Sequence, residues 1–228
     1  MTAFAVSFQG ARDLGERPGL TNSTTVRIIP ALSKGEQTRE RILDKAWQLA
    51  RRDGLAGLSL GKLASELRLS KSGLFAHFGS KEGLEVEVLK ATAERFTQQV
   101  IRPALRAPRG VPRLRRMFEN WLLWANDPEQ PGGCVILAAS AELDDSEGPQ
   151  RDFLVVAQTG LLAVLAKAAQ IAIDEQQLRA DLDTQQFAFE MHGIVMAYHH
   201  ARRLLRDPQA ETRAQSAFER LLQSYSHD

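Results

Sequence analysis

Apolar residues recur along this chain at intervals of three and four, without sustained alternation, so the pattern predicts an all-α protein. Ser33-x-x-Glu36 has the spacing of a capping box. Ile42, Ala46, Leu49 and Ala50 follow on one face, and Gly54 stops the run after Arg51 and Arg52. Ser59 predicts the start of a second helix, with Leu60, Leu63, Ala64 and Leu67 inward. Ser70 predicts the start of a third, with Leu74 and Phe78 on its inner face. A fourth helix begins after Ser80 and carries Leu84, Val88, Ala91 and Val100 until Pro103, Pro108 and Pro112 break it.

The remaining pattern predicts five more helices. One carries Leu114, Met117, Phe118, Trp121, Leu122 and Ala125, and ends at Asp127-Pro128 through Pro131-Gly132-Gly133. A short apolar helix runs from Cys134 to Leu143, followed by an acidic turn of Asp144, Asp145, Ser146, Glu147 and Gly148. Pro149 suits the first turn of the next, which carries Phe153, Val156, Ala157, Gly160, Leu161, Val164 and Ala168. Asp183-x-x-Gln186 opens the eighth, and the ninth carries Ala214, Phe218, Leu221, Leu222 and Tyr225. Residues 1–33 show no sustained periodicity and are expected to form a mobile leader.

Two short helices joined by a tight turn at Arg68-Leu69 make a helix-turn-helix, whose second helix enters the DNA major groove. Formal net charge is only +1 over 228 residues, but it is unevenly placed. Residues 34–81 hold ten Lys and Arg against five Asp and Glu, whereas residues 82–228 hold 16 against 21. A basic head on an acidic body fits a protein that neutralises phosphates at one end only. The expected division is therefore a leader at 1–33, a DNA-binding head at 34–81, and a body at 82–228.

The single cysteine, Cys134, excludes an internal disulfide and suits a reducing cytosol. The apolar runs read as too short for a membrane span, and residues 1–10 lack the basic start of a signal peptide. Cysteine pairs and i,i+4 histidine pairs are absent, and His199-His200 diverge on a helix, so neither a metal nor another cofactor is expected. An enzyme is not expected either. The chain lacks a paired-carboxylate constellation, a phosphate loop and a nucleophile-base pair.

From Thr38 to Leu89 the head resembles the DNA-binding domain of the TetR family of bacterial transcriptional regulators. Arg41-Ile42-Leu43, Ala46, Leu49, Gly54, Ser59, Leu63-Ala64, Leu69 through Phe75, His77-Phe78 and Ser80 through Leu84 carry the match. In the body, Gly132-Gly133-Cys134 and Phe187-x-x-Glu190-x-His192-Gly193 resemble patterns in one branch of that family. The resemblance implies a cytoplasmic homodimer on a palindromic operator of double-stranded DNA. It also implies a small-molecule effector in the body, dimer contacts through the last two helices, and a fourth helix that moves on binding. Many members carry a tyrosine where this chain has Phe75, so one phosphate hydrogen bond is lost. Gly61 is small where the second helix often offers a longer side chain.

The recognition helix presents free amides and the positive end of its dipole to DNA. Ser70 caps it, with Lys71, Ser72 and Gly73 in its first turn. Lys71 can donate to guanine O6 or N7, Gly73 permits close approach, and Ala76 can meet a thymine methyl. Phe75, His77 and Lys81 complete the expected contact surface, with Ser59 and Lys62 on the second helix. Capping alone accounts for Ser59 and Ser70 in any helical protein.

In the body, Phe118, Trp121, Trp124, Leu137, Phe187, Met191 and His192 are the candidates for an apolar effector pocket. Core packing is the competing reading for each. Tyr198, Phe218, Leu221, Leu222 and Tyr225 are the candidate dimer seam. The leading expectation is a repressor released by a small, largely apolar ligand. The alternative is a DNA-binding activator or nucleoid-associated factor without an effector.

Overall fold

The computed structural model describes residues 33–127 and 132–227. The expected leader thus lies outside the described residues except for Ser33. Among the described residues the chain forms nine helices and no strand. The head holds α1 (Lys34–Asp53), α2 (Leu60–Leu67) and α3 (Lys71–Phe78). Next, α4 (Lys81–Phe96) continues through a π-helical turn, Thr97–Ile101, into Arg102–Ala104. The body adds α5 (Val111–Ala125), α6 (Val135–Glu142), α7 (Pro149–Asp174), α8 (Thr184–Arg203) and α9 (Ala210–Ser224).

The helix starts follow their local chemistry. Ser33 Oγ accepts from the Glu36 amide, and the Glu36 carboxylate accepts from the Ser33 amide at 2.8 Å, which completes the capping box. Asp183 caps α8 by accepting from the amides of Gln185 and Gln186. The Gln186 side chain donates onward to Glu190, so this cap is one-sided. Between α2 and α3, Arg68 lies in the left-handed region at φ 54°, which lets the Leu69 amide reach back to the Ala64 carbonyl at 2.9 Å.

Two proline expectations are corrected. Pro103 does not end α4, and Pro112 lies inside the first turn of α5, where its missing amide costs nothing. Pro103 can neither bond the carbonyl one turn back nor avoid its ring clash there, and the preceding turn widens to the π form. Asn120 of α5 donates to the Val100 carbonyl in that turn at 3.0 Å.

One apolar core joins α1–α4 and extends into the body. Ile42, Leu63, Leu74 and Leu84 share it with Val135 and Ala139 of α6 and with Leu154 and Ala157 of α7. The head is therefore packed onto the body. A second core fills the body between α4, α5, α7, α8 and α9. The long helix α7 is central to it. An 18-residue window of α7 has mean hydropathy 1.6, enough by length and composition to cross a membrane, which corrects the reading of short apolar runs. Half of that window is buried inside the protein, as expected of a core helix.

Candidate nucleic-acid interface and effector cleft

The outer face of the helix-turn-helix is built by two caps. Ser59 Oγ accepts from the Lys62 amide at 3.5 Å and Ser70 Oγ accepts from the Gly73 amide at 3.0 Å. Ser70 and Ser72 hydroxyls lie 3.0 Å apart. Leu74 is buried and fixes the helix on the head, which leaves Lys71, Ser72, Phe75 and Ala76 exposed on its outer side. Phe75 is 46 % exposed, a high exposure for an aromatic ring. His77 is half-buried beside Phe78.

Two cations are less free than the sequence implies. Lys62 Nζ lies 2.9 Å from the Asp53 carboxylate, which also accepts from Arg52. Those two partners hold the Asp53 carboxyl well below the usual carboxylate range. Lys81 Nζ is 3.3 Å from Glu85, a buried carboxylate that also accepts from Gln150 at the start of α7. Asp53 lies on another helix, so spacing along α2 carries no signal for it, whereas Glu85 stands four residues after Lys81 on α4.

In the body, a narrow apolar cleft with a cavity volume of about 30 Å³ lies between α4, α5, α6 and α7. Its walls are Ala93, Phe96, Trp121, Cys134, Ile136, Leu137, Ala157, Gln158 and Leu161. Trp121 and Leu137 are thus brought together as expected. Phe96 meets the edges of Trp121 and Trp124 at centroid distances of 5.3 and 5.8 Å. The cleft offers one amide, Gln158, whose nitrogen donates to Ser140 Oγ at 3.3 Å. The Cys134 thiol is buried in its wall.

The other expected pocket residues do not line this cleft. Phe118 stacks on Phe218 at 4.1 Å, Phe187 packs against Tyr225, and Met191 is fully buried. Trp124 lines a different depression, with Gln99 and Asn120. His192 lies behind Trp121, at 5.8 Å, with burial pushing its imidazole below the ordinary range. Aromatic content marked the right helices, but periodicity does not tell a wall from a core. Ala93, Ala157 and Gln158 carried no compositional signal at all.

The candidate seam residues are mostly covered by their own chain. Tyr198, Phe218, Leu221 and Leu222 are buried within one chain, and Tyr225 is partly buried against the same core. An amphipathic stripe shows that a face is covered but not by which neighbour. Facing outward on α8 instead are Phe189, 68 % exposed, and Met196, 39 % exposed, with the exposed Gly193 and Ala197 between and beside them.

A basic head that presents an exposed helix-turn-helix, packed on an all-helical body with an apolar cleft, is the architecture of a helix-turn-helix DNA-binding regulator. Residues 42–88 match the model for bacterial regulatory proteins of the tetR family, and residues 110–218 match the tetracyclin repressor-like C-terminal domain. The chain belongs to the TetR family of transcriptional regulators. Among solved structures it is similar to a TetR regulator from Chloroflexus aurantiacus, with 23% identity, TM-score 0.73, and coverage of 84% of this chain and 96% of that one. A TetR-family regulator from Cytophaga hutchinsonii gives 22% identity, TM-score 0.76, and coverage of 87% and 99%. AibR, solved in complex with isovaleryl coenzyme A and operator DNA, gives 24% identity, TM-score 0.63, and coverage of 78% and 94%. A comparison with curated proteins finds no match.

Proposed function

We propose that this chain is a homodimeric cytoplasmic repressor that leaves a palindromic operator when a small, largely apolar molecule fills the body cleft. The observation that carries this reading is the position of the cleft. Two of its wall residues, Ala93 and Phe96, belong to α4, whose other end packs into the DNA-binding head. Occupation therefore acts on an element that the head shares. Lys71, exposed in the first turn of α3, is the base reader, and Ser70, Ser72, Phe75, Ala76 and His77 fix the helix in the groove. Ser59, Lys62 and Lys81 flank it toward the phosphates, the two lysines by exchanging their carboxylate partners for phosphate. The absence of charge in the cleft wall favours an uncharged effector, with Gln158 reading its one polar group.

For the dimer, the outward face of α8 with Phe189, Gly193, Met196 and Ala197 is the seam, joined by the groove where α8 meets α9. Small residues there let two helices approach closely, and exposed apolar side chains of this size favour a covering partner.

Selection from random duplex DNA, followed by binding of the enriched sequence at several salt concentrations, tests the DNA reading. A screen of uncharged aromatic and aliphatic compounds tests the effector reading. Compounds that raise the melting temperature are expected to release the selected DNA. Release by none of the compounds that bind the cleft, or no enriched sequence, would defeat the respective half.

A further inference from the structure

We infer that α6 is a strap tied to the DNA-binding head at both ends, and that it carries the response of the cleft through Arg51 and Glu142. This deepens, and rests on, the reading of the cleft as the effector site.

The first tie lies at the start of α6. Arg51, in the last turn of α1, is only 7 % exposed, and its Nε donates to the Gly133 carbonyl at 3.0 Å. Its guanidinium lies over the Trp47 ring at 4.7 Å, and Arg95 of α4 covers the same ring at 3.9 Å. The chain at this point has no room for side chains. A Cβ at Gly132 would fall 1.5 Å from the Arg51 carbonyl oxygen. A Cβ at Gly133 would fall 2.8 Å from Arg203 and 2.9 Å from His199 on α8. Both glycines also hold positive φ, 105° and 80°. The Gly132-Gly133 pair is therefore wedged between the head and the body.

The second tie lies at the end of α6. The Glu142 carboxylate accepts from the Ala56 amide at 2.9 Å, in the loop that leads into α2. Between the ties, α6 has two working faces. Cys134, Ile136 and Leu137 line the cleft, while Val135 and Ala139 are buried in the core of the head. A helix of two turns is stiff, so displacement of the cleft-facing side displaces the head-facing side by a similar amount. The ties turn that displacement into a pull on α1 and on the loop before α2, the two elements that hold the recognition helix. Spacing along a helix signals neither tie, since they join residues 82 and 86 apart in sequence.

The test fills the cleft with the chain's own atoms. In the full-length protein, Leu161→Trp enlarges a wall residue on α7, opposite the strap. Amide hydrogen exchange is followed over residues 55–78. Filling is expected to speed exchange there about tenfold, the equivalent of one lost hydrogen bond to a charged group. In the Arg51→Met, Glu142→Ala double variant the same amides exchange faster at the outset, and filling adds less than about twofold. Gln158→Phe fills the cleft from the next turn and replaces Leu161→Trp should that chain fail to fold. A full response that survives in the double variant, or a filled cleft that leaves residues 55–78 unchanged, overturns the strap. No compound enters this measurement. A strap response without any compound that binds would remove the effector reading alone. Compounds that bind and release DNA, with the response intact in the double variant, would remove the strap alone.

Discussion

The side chain of Lys71 lies across Gly61, with its Cε 3.6 Å and its Nζ 3.9 Å from where a Cβ at Gly61 would stand. The glycine on α2 is the floor on which the proposed base-reading lysine of α3 rests. A methyl group at that distance makes ordinary contact. Gly61→Ala is therefore expected to leave DNA affinity unchanged and to stabilise α2 by about 0.5–1 kcal/mol, seen as a rise in melting temperature. Gly61→Leu is expected to keep that stability but to displace Lys71 and weaken binding to the selected DNA by about 1–3 kcal/mol. Equal affinity in Gly61→Leu and the parent chain would show that Lys71 does not read DNA from this position.

Asp53 restrains two head cations at once, since it accepts from Arg52 and pairs with Lys62. Asp53→Asn removes the charge and retains a hydrogen-bond acceptor. Operator affinity is expected to rise and the logarithmic salt slope to steepen by about one, because one more cation is available to displace counterions. Fluorescence titrations at four salt concentrations measure both quantities. A slope that stays the same would place Lys62 and Arg52 away from the phosphates.

The legible part of this protein was the part written locally. The capping box of Ser33 and Glu36, the stop at Gly54, and the starts at Ser59, Ser70 and Asp183 all depend on residues within one turn, and the structure has each of them. The continuation of α4 through Pro103 was not legible, because Asn120, which meets the π turn, is distant in sequence. The same holds for Glu142, whose carboxylate accepts from the amide of Ala56, 86 residues away in sequence. In the cleft, Trp121 was legible as a large ring on an amphipathic helix. Ala93 and Ala157 were not, since a wall of small residues is made by what surrounds them.

Phe218 separates folding from assembly. It is 2 % exposed and stacked on Phe118 within one chain, with an interplanar angle of 13°. Phe218→Ala is expected to cost about 3–5 kcal/mol of stability and to lower the melting temperature of the chain itself. Phe189→Asp and Met196→Asp together change exposed positions on α8, so circular dichroism is expected to show an intact fold while light scattering reports monomers. A dimer that survives that pair would place the seam on another face.

The π turn in α4 gives a stability prediction. The Val100 carbonyl lies in a fully buried residue, and Asn120 Nδ2 is its side-chain donor. Asn120→Ala is expected to destabilise the chain by about 1–3 kcal/mol, the range for an acceptor left without its donor, as measured by urea unfolding. A loss below the uncertainty of that measurement would mean that the turn satisfies this carbonyl another way.

Burial of two imidazoles predicts a dependence on pH. His192 is desolvated behind Trp121, and His199 is desolvated near Arg203 and His200, so both are pushed below the ordinary histidine range. In the unfolded chain each takes up a proton near pH 6.5. Below that value the unfolded state binds more protons than the folded state, and linkage then requires stability to fall as pH falls. The contribution is complete above about pH 7.5 and declines through pH 6 toward the lowered folded values. The melting temperature is therefore expected to drop between pH 7.5 and pH 5.5. The His192→Phe, His199→Phe double variant is expected to flatten that drop relative to the parent chain. A parent chain as stable at pH 5.5 as at pH 7.5, or a double variant with the full drop, would show that these two rings titrate equally in both states.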